Sequence, residues 1–181
     1  DGGRYADILL NGDIHQVNAD KIGITRKLVK NVTYAFLYGA GDVKIGLTYD
    51  KQLHTTKAKK KGAEIREAYV AAIPGLDDLL SAVKDAAGRG YIKALDGRKV
   101  LLDSPHKALN FLLQGSAGVI AKRWLVLANH HTHDLCCSQL AFIHDELQYE
   151  CHSLHADRLA TSLVHCAREA GEYYKLRCPI D

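Results

Sequence analysis

Arg26, Lys30, Tyr34 and Tyr38 stand at four-residue intervals in the segment running from Thr25 to Gly39. On an α-helix each such step drifts only about 40° around the axis, so two cations and two aromatic rings share one face over roughly 18 Å. That length suits a nucleoside triphosphate and the base it must meet: cations hold phosphates while rings pack against sugar and base. Farther along, His106, Asn110 and Gln114 repeat the interval in a stretch otherwise rich in Leu, Ala, Val and Ile. Side chains that both donate and accept can probe the minor-groove acceptors shared by A·T and G·C pairs, which tests pair shape without reading sequence. Asp145 and Glu146 then sit side by side between the apolar Phe142-Ile143 and Leu147. Carboxylate oxygens are hard ligands suited to Mg²⁺. Phosphoryl transfer to a hydroxyl gains from two such ions, one activating the attacking oxygen and one holding the leaving phosphates.

The elements that must position these groups follow from periodicity and punctuation. Residues 20 to 87 read as mainly helical. The cationic run Lys57 to Lys61 opens a helix through Ile65, Ala68 and Tyr69 and reads as a solvated face. Pro74-Gly75 breaks the pattern, Leu76 to Ala87 is apolar at helical spacing, and Gly88-Arg89-Gly90 stops it. Strands at Tyr91 to Leu95 and Arg98 to Leu102 flank Asp96-Gly97, which signals a two-residue type I′ turn. Ser104 as N-cap and Pro105 at the first helical position open a long helix to about Ala128. Two short strands, Gln139 to Ile143 and Leu147 to Cys151, precede an amphipathic helix carrying Leu159, Leu163, Val164 and Ala167. The expected fold class is mixed α/β of the α+β kind, helical first and built on short antiparallel hairpins later.

Composition sets wider bounds. The chain has 181 residues, 47% hydrophobic and 25% charged, enough for one sizeable core or two small ones. A net charge of +3 permits a nucleic-acid partner without demanding one. Five cysteines without a Cys-x-x-Cys spacing indicate neither a disulfide framework nor a zinc ribbon, which fits a reducing compartment. His130, His131, His133, Cys136 and Cys137 match no established metal-ligand spacing. Gly39-Ala40-Gly41 is no dinucleotide loop, because Lys44 occupies the place of the third glycine and the segment comes after a helix. No apolar run approaches the roughly 20 residues that span a bilayer. Asp1 in first place and the absence of methionine suggest an excised fragment.

Arg26-x-x-x-Lys30-x-x-x-Tyr34-x-x-x-Tyr38-Gly39 closely resembles motif B of the family A, polymerase I-like DNA polymerases. Three other segments agree in order: Asp13-Ile14-His15 resembles the Asp-Ile-His before motif B, Ser104 to Lys122 the palm segment along the minor groove, and His144-Asp145-Glu146 motif C. The Ser-Pro-His at 104 to 106, where many relatives carry Arg in place of His106, is most similar to the members from short-tailed bacteriophages. The resemblance implies the fingers and part of the palm of a right-hand polymerase: residues 1–13 a palm-to-fingers connector, 14–88 fingers and 89–181 partial palm. It implies template-directed addition of dNTPs to a primer 3′ hydroxyl, with primer-template DNA as partner and a processivity factor as a further one. His15, Arg26 and Lys30 would bind the triphosphate, Lys30 also serving catalysis. Tyr34 and Tyr38 would shape the nucleotide pocket and Gly39 would give the template base close approach. His106, Asn110, Gln114 and His144 would contact DNA, Asp145 would be the metal ligand for two Mg²⁺ ions, and Glu146 a supporting catalytic carboxylate. Tyr at 34, where Phe is the alternative, implies weak discrimination against dideoxynucleotides.

The sequence contains no Asp-x-Ser-x-x-Glu, the motif A that such a site also requires to supply the second metal carboxylate; its expected place is just before Asp1. The chain alone is therefore expected to be inactive. Its expected location is the cytoplasm, that of an infected bacterium for a phage protein, with no membrane association. Two alternatives remain open at this level. One is a single-subunit RNA polymerase relative, against which Glu146 argues because Ser is usual there. The other is a non-catalytic DNA- or nucleotide-binding remnant.

Overall fold

The computed structural model describes residues 3–180, so the outermost ends of the expected connector and palm, 1–2 and 181, lie outside the described residues. Two compact units emerge, Asp1–Ile92 with Lys99–Leu112, and Lys93–Arg98 with Leu113–Asp181. The elements are mainly helices with two separate two-stranded sheets, in agreement with the expected mixed class.

In the first unit the helices are α1 (Arg4–Asn11), α2 (Ile14–Ile22), α3 (Arg26–Leu37), α4 (Asp42–Tyr49), α5 (Thr55–Ala72) and α6 (Leu76–Ala87). The bounds of α6 are those the sequence marks: Gly75, in the left-handed region at φ 83°, precedes it and Gly88 ends it. Of the lysine run, Lys57, Lys59 and Lys60 are solvent-exposed, while Lys61 is half-buried over the Tyr49 ring at 5.0 Å. One buried cluster joins Phe36, Tyr69, Val83, Ile92, Ala108 and Leu109, and the Phe36 and Tyr69 rings lie 5.0 Å apart. A second gathers Val32, Ala40, Ile45 and Ile65. Sequestering each fully buried aliphatic side chain stabilises by about 1.5–3 kcal/mol.

Helices α4 and α5 meet backbone to backbone. A Cβ on Gly46 would stand 2.8 Å from the Ala58 Cα, and one on Gly62 would stand 2.9 Å from the Gly46 nitrogen, spacings that only glycine permits. Arg66 on α5 fixes the segment between α3 and α4. Its Nε pairs with Asp42 Oδ1 at 2.6 Å, its terminal nitrogen donates to the Ala40 carbonyl, and its guanidinium lies 5.5 Å from the Phe36 ring.

Strands β1 (Tyr91–Lys93) and β2 (Lys99–Leu101) form the first hairpin. Its turn corrects the type I′ expectation. Gly97 takes φ 84° but Asp96 does not have positive φ, and Gly97 N–H donates to the Ala94 carbonyl while Ala94 N–H donates to the Arg98 carbonyl. This is a three-residue loop with glycine in the left-handed bulge position. Asp96 is held by its own neighbour, its carboxylate accepting from Arg98 N–H at 3.2 Å and Arg98 Nε at 2.6 Å.

The long helix also departs from expectation at both ends. Pro105–Lys107 is a 3₁₀ turn, and α7 proper is Ala108–His131. Ser104 makes no side-chain cap; its carbonyl instead accepts from Lys107 N–H at 3.1 Å, the i→i+3 closure of the tighter turn. By length and composition the run Pro105–His131 is apolar enough to cross a membrane, contrary to the expectation that no run approaches this. Polar and charged residues interrupt it, Lys107, Asn110, Gln114, Lys122 and Arg123 among them, and Trp124 Nε1 is committed to a protein carbonyl, that of Leu163, at 2.8 Å.

In the second unit α7 continues from Leu113 beside β3 (Cys137–Ile143), β4 (Glu146–Cys151) and α8 (Ala156–Tyr173). The strands run antiparallel, pairing Cys137 with Cys151 and Ile143 with Glu146, with an irregularity between Gln139 and Ala141. Both begin before the expected bounds. Leu159, Cys166, Ala167 and Ala170 supply the buried face of α8, whereas Val164 remains 39% exposed. Arg123 stacks on the Tyr173 ring at 3.2 Å, and Arg158 bridges to Asp134 at 2.7 Å.

Candidate functional site

Thr25 opens α3 in extended backbone, its hydroxyl accepting from Leu28 N–H at 3.3 Å. Val29, Val32 and Phe36 form the buried face. The opposite side presents Arg26, Lys30, Tyr34 and Tyr38, with Tyr34 at 49% and Tyr38 at 58% exposure. The apolar positions that bury this helix thus leave the cation and aromatic row facing solvent. The helix proper ends at Leu37 and Tyr38 is its C-cap. Gly39 then turns the chain at φ 74°, and a Cβ there would lie 2.5 Å from the His106 carbonyl oxygen. Glycine is therefore required on backbone grounds whatever else approaches it. A cavity of about 300 Å³ opens here, with Gly39, Asp42, Arg66 and His106 among its walls.

The two cations of the row differ. Arg26 Nε pairs with Asp13 Oδ2 at 2.6 Å, whereas Lys30 makes no ion pair among the described residues. Asp13 also serves α2, its Oδ1 accepting from His15 N–H at 3.0 Å and Gln16 N–H at 3.1 Å to cap that helix. The Arg26 hydrogen bond above all, with the Gln16 N–H, holds the Asp13 carboxyl below the ordinary carboxylate range. His15 is half-buried in the first turn of α2, and its Nδ1 is enclosed without a hydrogen-bond partner. Asp13 itself is not among the site residues expected from sequence. An Asp directly before an apolar helical start is a capping signal and could have pointed to it.

His106 is exposed in the 3₁₀ turn, Asn110 is half-buried and Gln114 is exposed on α7. His106 lies in the 3₁₀ turn that precedes α7, whereas Asn110 and Gln114 stand four residues apart on α7 itself.

In the second unit His144 and Asp145 form the two-residue tip between Ile143 and Glu146. His144 takes φ 56°, an uncommon left-handed conformation for a side chain with a Cβ. His144, Asp145 and Glu146 are all exposed. Glu146, the first residue of β4 and not part of the tip itself, accepts from Gln148 Nε2 at 2.7 Å. Asp145 also borders a cavity of about 210 Å³ walled by Ala117, Ile120, Trp124 and Ala167. Among the described residues no group of three or more His, Cys, Asp or Glu side chains is placed to hold a metal ion. The hairpin offers carboxylate oxygens of the right kind for Mg²⁺ but not the ligand number that a two-ion site needs.

The family model for DNA polymerase family A matches residues 5–181. The chain is 34% identical to the DNA-directed DNA polymerase of Enterobacteria phage T3 and 33% identical to that of Escherichia phage T7, in each case over 100% of this chain and 28% of the relative. The corresponding protein of Escherichia phage Phieco32 is 32% identical over 97% of this chain and 29% of its own length. Among solved structures, the POL domain of Pol1 from M. smegmatis, in complex with DNA primer-template and dNTP, superposes with a TM-score of 0.81. It is 25% identical, and the match covers 100% of this chain and 35% of that one. The chain thus spans a little over a quarter of the length of its curated phage relatives. It belongs to DNA polymerase family A.

Proposed function

We propose that this chain supplies the nucleotide-binding helix and one carboxylate hairpin of a template-directed DNA polymerase, acting on dNTPs and primer-template DNA. The observation that carries this is the exposed row Arg26, Lys30, Tyr34 and Tyr38 on α3, in which Lys30 has no ion-pair partner among the described residues. In this reading residues 14–88 are fingers, 89–181 partial palm and 1–13 the connector. Lys30 and Arg26 hold phosphates, His15 lies beside them, and the two tyrosines line the base and sugar. Release of Arg26 toward a triphosphate exchanges one carboxylate partner for phosphate oxygens, so Asp13 sets how readily it moves. Asn110 and Gln114 face the duplex. Asp145, supported by Glu146, contributes one ligand to Mg²⁺, the remaining carboxylates coming from outside this sequence.

The test is titration of the 181-residue chain with a fluorescent deoxynucleoside triphosphate, against the matching nucleoside and in rising salt. Triphosphate should bind, nucleoside should bind far more weakly, and Lys30→Ala should weaken triphosphate binding about 10–100-fold, as loss of a charge-assisted hydrogen bond implies. Equal affinity for nucleoside and triphosphate, or an unchanged Lys30→Ala variant, overturns the assignment of the row. Primer extension with Mg²⁺ should be undetectable for the chain alone, since it carries no Asp-x-Ser-x-x-Glu.

A further inference from the structure

The carboxylate hairpin carries a pair of opposed thiols. Cys137 of β3 is the direct register partner of Cys151 of β4. His152 N–H donates to the Cys136 carbonyl at 3.1 Å, and this bond fixes the type of the pair beside it. In an antiparallel ladder a bond from residue j+1 to residue i−1 brackets a non-hydrogen-bonded pair, whose Cα atoms lie about 4.5 Å apart with side chains on the same face. That spacing is within the range a disulfide bridges. Both cysteines are free and half-buried, and the Cys137 thiol donates to the Thr132 carbonyl at 3.7 Å.

We propose that Cys137 and Cys151 are a thiol–disulfide site, convertible to a cross-strand disulfide that locks the register of the hairpin bearing Asp145. Two S–H bonds break and one S–S bond forms. The two electrons and two protons pass to an oxidant such as an azodicarboxamide, whose N=N bond becomes HN–NH. The link closes the loop from Ser138 to Glu150, so strand slippage across the irregularity between Gln139 and Ala141 is blocked. Slippage by one residue would turn every side chain of the slipped strand to the other face of the hairpin.

Cys136 provides an internal control. It adjoins Cys137, so loop-closure entropy hardly distinguishes the two as partners for Cys151. Only the strand register does, because Cys137 stands in β3 directly opposite Cys151 whereas Cys136 precedes the strand and has no partner in the ladder.

The experiment treats the reduced 181-residue chain with diamide and maps cross-linked peptides by mass spectrometry, natively and in denaturant. The native chain should lose two hydrogens in an intramolecular Cys137–Cys151 link, favoured at least about tenfold over Cys136–Cys151 because only Cys137 is held opposite Cys151 at a separation a disulfide spans, and the preference should vanish in denaturant. Cys136→Ser should leave the product intact, and Cys137→Ser and Cys151→Ser should each abolish it. Far-UV circular dichroism of each variant establishes that it remains folded. Native formation of a Cys136 or Cys166 link to Cys151, intermolecular dimers only, or no reaction overturns the proposal. None of these outcomes bears on nucleotide binding by α3.

Discussion

Gly39→Ala should destabilise the first unit more than a methyl added at either of two nearby glycines flanking α3, and a three-variant series separates the causes. Gly39 combines φ 74° with a Cβ direction that ends 2.5 Å from the His106 carbonyl oxygen. Gly23 has the same φ 74° but nothing within 4 Å, so Gly23→Ala reports the left-handed conformation alone. Gly41 has ordinary φ of −72° and open space, so Gly41→Ala reports neither. The left-handed cost is about 1–2 kcal/mol, and forcing a methyl into a packed contact adds about 1–3 kcal/mol. Expected losses are therefore about 2–5 kcal/mol for Gly39→Ala, about 1–2 for Gly23→Ala, and within about 1 of zero for Gly41→Ala, where reduced unfolded-state freedom offsets a poorer helix cap. Urea unfolding followed by circular dichroism reads these as midpoint shifts, with a slope of about 1–3 kcal/mol per molar. Because Tyr38 adjoins Gly39, the same variant should weaken triphosphate binding even where it is fully folded. If Gly39→Ala and Gly23→Ala unfold at the same urea concentration, the His106 carbonyl does not press on Gly39 and the reasoning about this turn fails.

Burial pushes the Tyr69 hydroxyl up to about 12. The folded value lies above the unfolded one of about 10, so the contribution is intact below pH 10 and lost as pH rises toward 12, about 2–3 kcal/mol in all; Tyr69→Phe should flatten that alkaline limb, and an unchanged limb would refute it. Trp124→Phe removes a second donor to the Leu163 carbonyl, which keeps its bond within α8, and should cost about 0.5–1.5 kcal/mol, measured by chemical unfolding of the second unit. In a polymerase containing this chain, Tyr34→Phe should increase discrimination against dideoxynucleotides in a primer-extension competition; identical termination patterns would sink the pocket role of Tyr34.

Much of the site was legible because its spacing is local. A four-residue interval puts Arg26, Lys30 and Tyr34 on one face of any α-helix, and the apolar Val29, Val32 and Phe36 dictate that the other face is buried. Pro74-Gly75 and Gly88 bound α6 through their own backbone preferences. The order of the motifs likewise indicated the family to which the chain belongs. Tertiary structure alone decided the features that involve partners far apart in sequence, or competition between local signals. Arg26 is committed to Asp13 and Arg66 ties Asp42 to Ala40, pairs that no local pattern encodes. Asp96-Gly97 suits a type I′ turn, but Asp96 hydrogen-bonds to Arg98 and keeps negative φ, which gives a bulged loop. Ser104 could cap a helix, yet the chain winds a 3₁₀ turn over Pro105–Lys107 and brings the His106 carbonyl against Gly39. Local propensity selects among element types; which groups meet is set by packing of the assembled chain.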